Sequence, residues 1–584
     1  MSKKYTNEKN IQMLIYLLKA NDIKKIIVNP GTMNMSFVAS VQNDDFFEMY
    51  SCVDERSACY MACGLAAESG EPVVLTCTGA TASRNYMSGL TEAFYRKLPV
   101  LAITCTPHLG NIGQNIAQML DRRANLNDTY KFSTYVPPIK SSLDEWSDNV
   151  SINNAILELK RHGGGPVQIN LGTEITKVFD TDELPKFRKI NRYLNGSVLP
   201  TIKEGQKIGI YVGNHKIWNK ELAKYVDEFC ERYNAVVLCD QTSNYFGKYK
   251  ILFNILCDQE KYITPLTKFD LILHIGDTSG SYMIIDTNSV WRINPDGEIR
   301  DTFKKLENVF EMEEIDFFKY YSEIASNNTK NITLYENLKS EIEELESRSY
   351  KIDFPFSNIW ITRELINKIP NESTVHLAIL NTLRSWNYFS NKNSLKCYCN
   401  TGGFGIDGIL STLIGASFNN KKENYYCIIG DLAFFYDMNS LGNRDVGNNL
   451  RIILINNGCG TEFHNYSHPA NVIGDDNISK FIAANGHFGN KSKHLVKNYV
   501  EDLGFEYISS STKEEFEKHV DYFTSNEIYE KPILFEIFTN SEDESEALHL
   551  IRNMKSSTKG IVKDKIRKIL PNDAKNKIKK ILGR

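Results

Sequence analysis

No paired Cys-x-x-Cys spacing occurs among the twelve cysteines of this 584-residue chain, so a zinc finger or ribbon has no ligand set to draw on. The cysteines are scattered, and Cys59, Cys63, Cys77 and Cys427 fall inside apolar helices or strands. They read as reduced packing residues of a cytoplasmic protein. Long apolar runs are missing too. The opening stretch MSKKYTNEKNIQMLIYLLKA starts polar and becomes an amphipathic helix, too short and interrupted for a membrane span or signal peptide. A large charge of either sign is also absent: the formal net charge is -4, so the body of the chain is expected to bind neither nucleic acid nor membrane. What is present is 42% hydrophobic and 24% charged residues, the balance of a folded globular protein. The length suits about three to four domains.

The most informative stretch is Tyr425–Phe463, YYCIIGDLAFFYDMNSLGNRDVGNNLRIILINNGCGTEF. The apolar runs Tyr426–Ile429 and Ile452–Ile455 read as buried parallel strands. They end in Gly430-Asp431 and Asn456-Asn457-Gly458, with a helix-length segment containing Met438, Leu441 and Val446 between them. This is a βαβ unit with polar groups at the carboxyl ends of neighbouring strands, where open α/β sheets bind ligands. Asp431 and Asn457 can there offer hard oxygen ligands to one cation of the Mg²⁺ kind. An ordinary βαβ crossover with polar loop ends is the alternative.

The stretch resembles the diphosphate- and metal-binding motif of thiamine-diphosphate enzymes, Gly-Asp-Gly … Asn-Asn. Leu432 replaces the second glycine, and Gly430–Asp437 (GDLAFFYD) is similar to the form found in the menaquinone-pathway synthase branch. The resemblance implies that Asp431 and Asn457 ligate Mg²⁺ through side chains and Cys459 through its backbone carbonyl. It also implies that Gly430, Asp431, Leu432, Ala433 and Asn457 bind the cofactor.

Upstream, the pattern is α/β throughout. Ile26–Val28, Val73–Cys77, Val100–Thr104 and a last run after Gly163-Gly164-Gly165-Pro166 read as strands of a parallel sheet with helices on both faces. Glu55 stands between a strand and a helix rich in small residues that runs to Gly70. As a lone residue it reads as a first-turn helix acid. The order Pro30-Gly31-Thr32, Asp54-Glu55-Arg56-Ser57-Ala58 and Thr78-Gly79-Ala80-Thr81 is, however, similar to the pyrimidine-binding domain of the same enzymes. That resemblance implies that Glu55 is catalytic, bonding the aminopyrimidine ring and promoting its imino tautomer. It places Thr78 and Gly79 at the cofactor.

Lys207–Gly213, Ala235–Cys239 and Leu271–Gly276 suggest strands of a Rossmann-like central domain. It lacks a convincing phosphate fingerprint; Gly276–Gly280 is a weak one, and a structural role is expected. Glu336–Arg348 reads as a charged linker helix with a solvated face. Farther on, Gly403-Phe404-Gly405-Ile406-Asp407-Gly408 matches the dinucleotide pattern G-x-G-x-x-G. That reading leaves Glu55 and Asn456-Asn457 unexplained. The resemblance instead assigns Gly403 to the cofactor loop and makes Ile406 the support beneath the cofactor. The boundaries that follow are 1–185 (pyrimidine-binding), 190–345 (central), 350–550 (diphosphate- and metal-binding) and 551–584 (a basic amphipathic tail).

The specificity residues depart from the branch. Met33, Thr106-Pro107 and Thr401 stand where arginines are expected, and arginine forks are the natural readers of carboxylates. This departure sets the chain apart from the menaquinone synthase itself. Thr32, Gln114, Arg384, Thr401 and His464 are the candidate substrate residues, with His468 nearby. The expected activity is decarboxylation of a 2-oxo acid with transfer of the acyl unit to an acceptor. A simple decarboxylase, a nucleotide-binding oxidoreductase and a catalytically silent scaffold are alternatives. The resemblance implies a homodimer or homotetramer. From Met554 to Arg584 the chain carries eleven Lys or Arg against two Asp. Such a basic amphipathic tail suits contact with an anionic membrane surface, at the inner face of the membrane, or packing on the acidic body or on a partner subunit.

Overall fold

Unbroken runs of valine, isoleucine and leucine become strands here because a parallel strand is covered on both faces and needs no polar alternation. The computed structural model describes residues 4–281, 283, 285–324, 331–487 and 491–562. The chain divides into two compact units, Met1–Val198 with Asp296–Glu311, and Leu199–Pro295 with Met312–Arg584.

In the first unit β1 (Lys25–Val28), β2 (Glu48–Ser51), β3 (Val73–Thr78), β4 (Val100–Thr106), β5 (Phe132–Val136) and β6 (Val167–Gly172) form a parallel sheet in the order β2-β1-β3-β4-β6-β5. Two further short strands, Asn191–Leu194 and Leu306–Glu311, pair in parallel. The N-terminal apolar run is the helix Lys9–Ala20, whose Leu14, Leu17 and Leu18 are buried in the core beneath the sheet. The helix Glu55–Ser69 is capped by the Asp54 side chain at one end and by left-handed Gly70 at the other, the expected punctuation of a helix. Its small residues Ala58, Cys59, Ala62, Cys63 and Ala66 face inward. They allow a close approach to the helix Met87–Tyr95, where a Cβ on Gly89 would lie 2.6 Å from the Cys59 sulfur. All twelve cysteines are free.

The second unit holds two parallel arrays. One contains β7 (Ile208–Val212), β8 (Ala235–Cys239), β9 (Lys250–Leu252), β10 (Lys268–Ile275) and β11 (Asp286–Ile293), ordered β9-β8-β7-β10-β11. The loop after β10 is filled by its own surroundings. A Cβ on Gly213 would lie 1.9 Å from the Asp277 carbonyl oxygen, and Ser279 bonds Asp240 at 2.5 Å. The other array contains β12 (Thr374–Leu377), β13 (Lys396–Tyr398), β14 (Tyr425–Gly430), β15 (Leu450–Asn456), β16 (Glu506–Ser510) and β17 (Ile533–Phe538), ordered β13-β12-β14-β15-β17-β16. The three parallel sheets with interspersed helices are those expected from the sequence.

Three expectations need adjusting. The helix-length segment between β14 and β15 that contains Met438, Leu441 and Val446 is α-helical only before Met438. The helix spans Asp431–Asp437, and Met438–Gly442 continues only as a 3-10 turn. The following segment, rich in glycine and asparagine, cannot sustain a helix. The linker helix spans Thr333–Ser349, and its charged outer face is matched by a buried stripe of Leu334, Leu338, Ile342 and Leu345. The first residues of the basic tail pack on this helix: Lys555 pairs with Glu341 at 3.1 Å and Glu344 at 2.7 Å, and Arg348 donates to the Met554 carbonyl. The rest of the tail, including Ile566, Ile569, Ile578 and Leu582, lies outside the described residues. No helix among the described residues is long and apolar enough to cross a membrane.

Asp148, on the helix Ser142–Glu158, is buried with neither carboxylate oxygen hydrogen-bonded. Burial pushes its carboxyl up to about 8, and neighbouring Asp144 adds to the shift. A carboxyl raised in the folded state binds a proton on folding. Its stabilising contribution is complete below the unfolded pKa near ~4 and is lost as pH rises toward 8. Asp148→Asn should therefore match the parent at pH 4 and gain on it between pH 4 and 8, by roughly 1 kcal/mol per pH unit, then hold level. Urea-unfolding midpoints at pH 4, 6, 8 and 9 measure this; a pH-independent difference contradicts it.

Candidate active site

Strands β14 and β15 run side by side with Gly430 opposite Ile455, so the residues that follow each strand emerge together at the carboxyl edge. Asp431 is the first residue of the helix Asp431–Asp437 and is buried. Its Oδ1 accepts from the Leu432 N–H at 2.8 Å, and its Oδ2 accepts from the Gly458 N–H at 2.7 Å. The second bond ties the Asn457-Gly458 turn to the start of the helix. Gly458 has φ +81°, a left-handed conformation that glycine adopts without penalty. Burial pushes the Asp431 carboxyl up to about 7, against the pull of its backbone donors. Asn456 points the other way, donating to Glu536 at 2.7 Å, and Tyr507 donates to the second Glu536 oxygen at 2.8 Å. Asn457 is half-buried on the lip.

The Cys459 thiol packs in the core beside Ser541 at 3.2 Å, and the Cys459 carbonyl accepts from the Thr461 N–H at 2.9 Å. A carbonyl oxygen has a second lone pair, so this bond leaves room for a cation. Among the described residues no cluster of three or more His, Cys, Asp and Glu side chains is arranged to hold a metal. Asp431 itself, a buried carboxylate bonded by backbone N–H groups, is the kind of hard oxygen donor that a divalent cation takes.

Two cavities flank the Asn457-Gly458 turn. One, of about 530 Å³, is lined by Asn457, Lys493, His494, Lys497 and Tyr507. The other, of about 590 Å³, is lined by Asn457, Cys459, His464, Asp475 and Ser541. His464 stands 3.6 Å from Asp475. His468 instead accepts from the Ala470 N–H. The glycine loop lies on the same unit. Gly403 is open, with nothing near a would-be Cβ. Ile406 packs on the core that contains Ala433, while Leu432 is half-buried. Asp437 ties the helix that follows this loop, Ile409–Ser417, to its own helix by accepting from the Ser411 N–H at 2.7 Å and from its hydroxyl at 2.6 Å. Thr401 is buried and accepts from Asn214 at 2.8 Å. Both Arg384 Nη atoms bond Glu462 at 2.8 Å.

In the first unit, Glu55 opens its helix half-buried, and its Oε2 accepts from Asn85 Nδ2 at 3.0 Å. Asn29 braces the neighbouring loops by donating to the Cys52 carbonyl at 2.7 Å and accepting from the Tyr86 hydroxyl at 2.5 Å. Thr78 sits against the Pro30-Gly31 turn: a Cβ on Gly31 would fall 2.3 Å from its hydroxyl. At Gly79 a Cβ would lie 2.4 Å from the Arg122 guanidinium and 2.7 Å from the Cys105 carbonyl oxygen. Thr32 and Gln114 are exposed. Sequence reasoning missed Asn85, Asn29 and Glu536, each of which acts through a partner distant in the chain that no local pattern announces. It also missed Arg122, which stands out only by its burial.

Residues 9–125 match the family described as thiamine pyrophosphate enzyme, N-terminal TPP binding domain. The name 2-succinyl-5-enolpyruvyl-6-hydroxy-3-cyclohexene-1-carboxylate synthase is carried by curated relatives from several bacteria. The protein of that name from Phocaeicola vulgatus is 32% identical over 568 residues, covering 93% of this chain and 98% of the relative. Those from Bacteroides fragilis and Bacteroides thetaiotaomicron are each 29% identical, covering 94% and 93% of this chain and 100% and 98% of theirs. These matches give no support to setting the chain apart from that synthase. The chain belongs to the 2-succinyl-5-enolpyruvyl-6-hydroxy-3-cyclohexene-1-carboxylate synthase family, thiamine-diphosphate-dependent enzymes of the 2-oxo acid decarboxylase and carboligase type.

Proposed function

We infer that the chain uses thiamine diphosphate and Mg²⁺ to decarboxylate a 2-oxo acid and pass the remaining acyl unit to an acceptor. The observation that carries this reading is the buried Asp431 carboxylate bonded to the Gly458 N–H at 2.7 Å, which sets an acid beside Asn457 at adjacent strand ends. Asp431, the Asn457 amide oxygen and the Cys459 carbonyl would hold Mg²⁺. Gly403, Ile406, Gly430, Leu432 and Ala433, with Thr78 and Gly79, would line the cofactor. Thiamine diphosphate, when bound, supplies the electron sink for the pair released with CO₂. Glu55 would exchange a proton with a ring nitrogen of the aminopyrimidine, its carboxyl oriented by Asn85.

The relatives' name contains a 2-succinyl group, and the 2-oxo acid that leaves a succinyl unit on losing CO₂ is 2-oxoglutarate. It is the first donor to test. A different donor, or decarboxylation without ligation, is the second reading. It is favoured by Met33, Thr106-Pro107 and Thr401 in place of arginines, and by Arg384 already bonded to Glu462. Exchange of Thr32, Gln114 or His464 would probe this substrate shell.

A homodimer, or a tetramer built from it, is supported by the helix that carries Glu55. Tyr60 and Met61 are 47% and 48% exposed on the same face as Gly64, and nearby Val53 is 82% exposed. An apolar face of this kind marks an interaction surface, and covering it would dry the Glu55 end of the helix. Cytoplasmic location fits twelve free cysteines, and the basic end of the chain is the part suited to a membrane surface.

Glu55→Gln should keep the fold and thiamine diphosphate affinity but lower CO₂ release by about 10²-fold or more; full activity in this variant would remove Glu55 from the chemistry. Asp431→Ala should weaken Mg²⁺-dependent binding of thiamine diphosphate at least about tenfold in a calorimetric titration. Unchanged affinity would show that the metal site lies elsewhere.

A further inference from the structure

The first unit buries an arginine that has no anion to pair with. Arg122 is 7% exposed, and its Nε and Nη1 have no hydrogen-bond partner. The acid next to it in sequence is already taken: Asp121 is held by both arms of the Arg123 fork, at 2.9 and 2.7 Å. Arg84 adds a further positive charge, donating to the Asp121 carbonyl. The other groups around Arg122 are Cys77, Cys105 and Tyr130. These stay neutral, since burial pushes the Cys77 thiol up to about 12 and raises Cys105 and Tyr130 as well. A buried guanidinium without a counter-ion is costly to a fold, and its persistence calls for a compensating anion.

Arg122 also lines a cavity. The space measures about 180 Å³ and is bounded by Leu109, Leu120, Ser133, Tyr135 and Asn170 as well. It lies by β5 and β6 of the parallel sheet, and Arg122 packs next to Gly79, whose absent side chain leaves room for the guanidinium. Its volume corresponds to about six water molecules, enough for a carboxylate on a short carbon chain. The mixed lining of two leucines with hydroxyl and amide groups suits such a fragment. Arginine presents a planar fork that pairs with a carboxylate through two parallel bonds.

We propose that Arg122 binds a carboxylate of the organic-acid substrate in this cavity, taking over the part that arginine plays at none of Met33, Thr106-Pro107 or Thr401. The assignment deepens the proposed function and rests on it for the word substrate. The anion pocket itself rests on the unpaired guanidinium alone.

The test uses the full-length protein, glutarate as a non-reacting dicarboxylate, and inorganic phosphate as a control anion. Calorimetric titrations are run on the parent, Arg122→Met and Arg122→Lys, with thiamine diphosphate and Mg²⁺ present and absent. Thermal midpoints are recorded alongside. Glutarate should bind the parent and raise its midpoint. Arg122→Met should lose at least tenfold in glutarate affinity and show no midpoint response, and Arg122→Lys should recover part of both. Thiamine diphosphate affinity should be equal in all three. With a reacting 2-oxo acid, Arg122→Met should raise KM at least tenfold with little change in kcat. Equal glutarate affinity in parent and Arg122→Met overturns the proposal, as does a parent that binds no glutarate. Phosphate binding as tightly as glutarate overturns the substrate assignment and leaves a free-anion site. Loss of the midpoint in Arg122→Met without loss of glutarate binding would assign the residue to packing. Failure of the parent to bind thiamine diphosphate would instead overturn the proposed function, while the glutarate titration still decides the pocket.

Discussion

The bond from the Gly458 N–H to Asp431 Oδ2 couples two strand ends that the sheet alone would merely place side by side. Without it, Asp431 would be a buried carboxylate at the start of a short helix, and Asn457 an amide on a free turn. With it, the acid and the turn share one geometry at the carboxyl edge of β14 and β15, the place where open parallel sheets receive ligands. The cost is visible in the acid itself, which burial pushes up to about 7. A divalent cation bound there would restore the ionised form, so the penalty of burial is offset when the site fills.

The first unit follows the same logic with neutral groups. Asn29, Tyr86 and the Cys52 carbonyl form a buried bridge between the turn after β1 and the segment that leads to Glu55. Asn85, the residue before Tyr86, reaches Glu55. One short helix therefore supplies both the brace and the partner of the acid. Close packing sets the rest: Gly31 against Thr78 and Gly79 against Arg122 leave no room for a side chain. Substitution at either glycine would disturb the loop geometry before it touched any ligand.

Much of this was legible in the amino-acid order. The central strands were readable because buried parallel strands are continuous apolar runs, as in Cys427–Ile429 and Ile452–Ile455. The edge strand Glu48–Ser51 was readable only as a strand ahead of Glu55, without bounds, because its residues are mostly exposed and its four positions carry no alternation. The helix-length segment after Gly430 contains Met438, Leu441 and Val446, but only its first part, Asp431–Asp437, is α-helical; the stretch from Met438 on, with Gly442, Gly447 and several asparagines, is not. The site was legible where a motif places chemistry at a strand end, as at Asp431, Asn457 and Glu55. It was illegible where a residue acts by contact across the fold. Asn85 meets Glu55 thirty positions away, and Arg122 becomes notable only because its acid neighbour is engaged by Arg123 and its other neighbours are neutral.

On the reading proposed here the chain releases CO₂ from a 2-oxo acid in a cofactor-dependent way. The most direct measurement is CO₂ release from 2-oxoglutarate, pyruvate, 2-oxobutyrate and phosphonopyruvate, with thiamine diphosphate and Mg²⁺ added together, singly or not at all. The account predicts release from one of these acids, 2-oxoglutarate first, when both are present, and none when either is withheld from stripped protein. Release that persists without thiamine diphosphate or without Mg²⁺, or no release from any of the acids by a preparation that binds both, would contradict it.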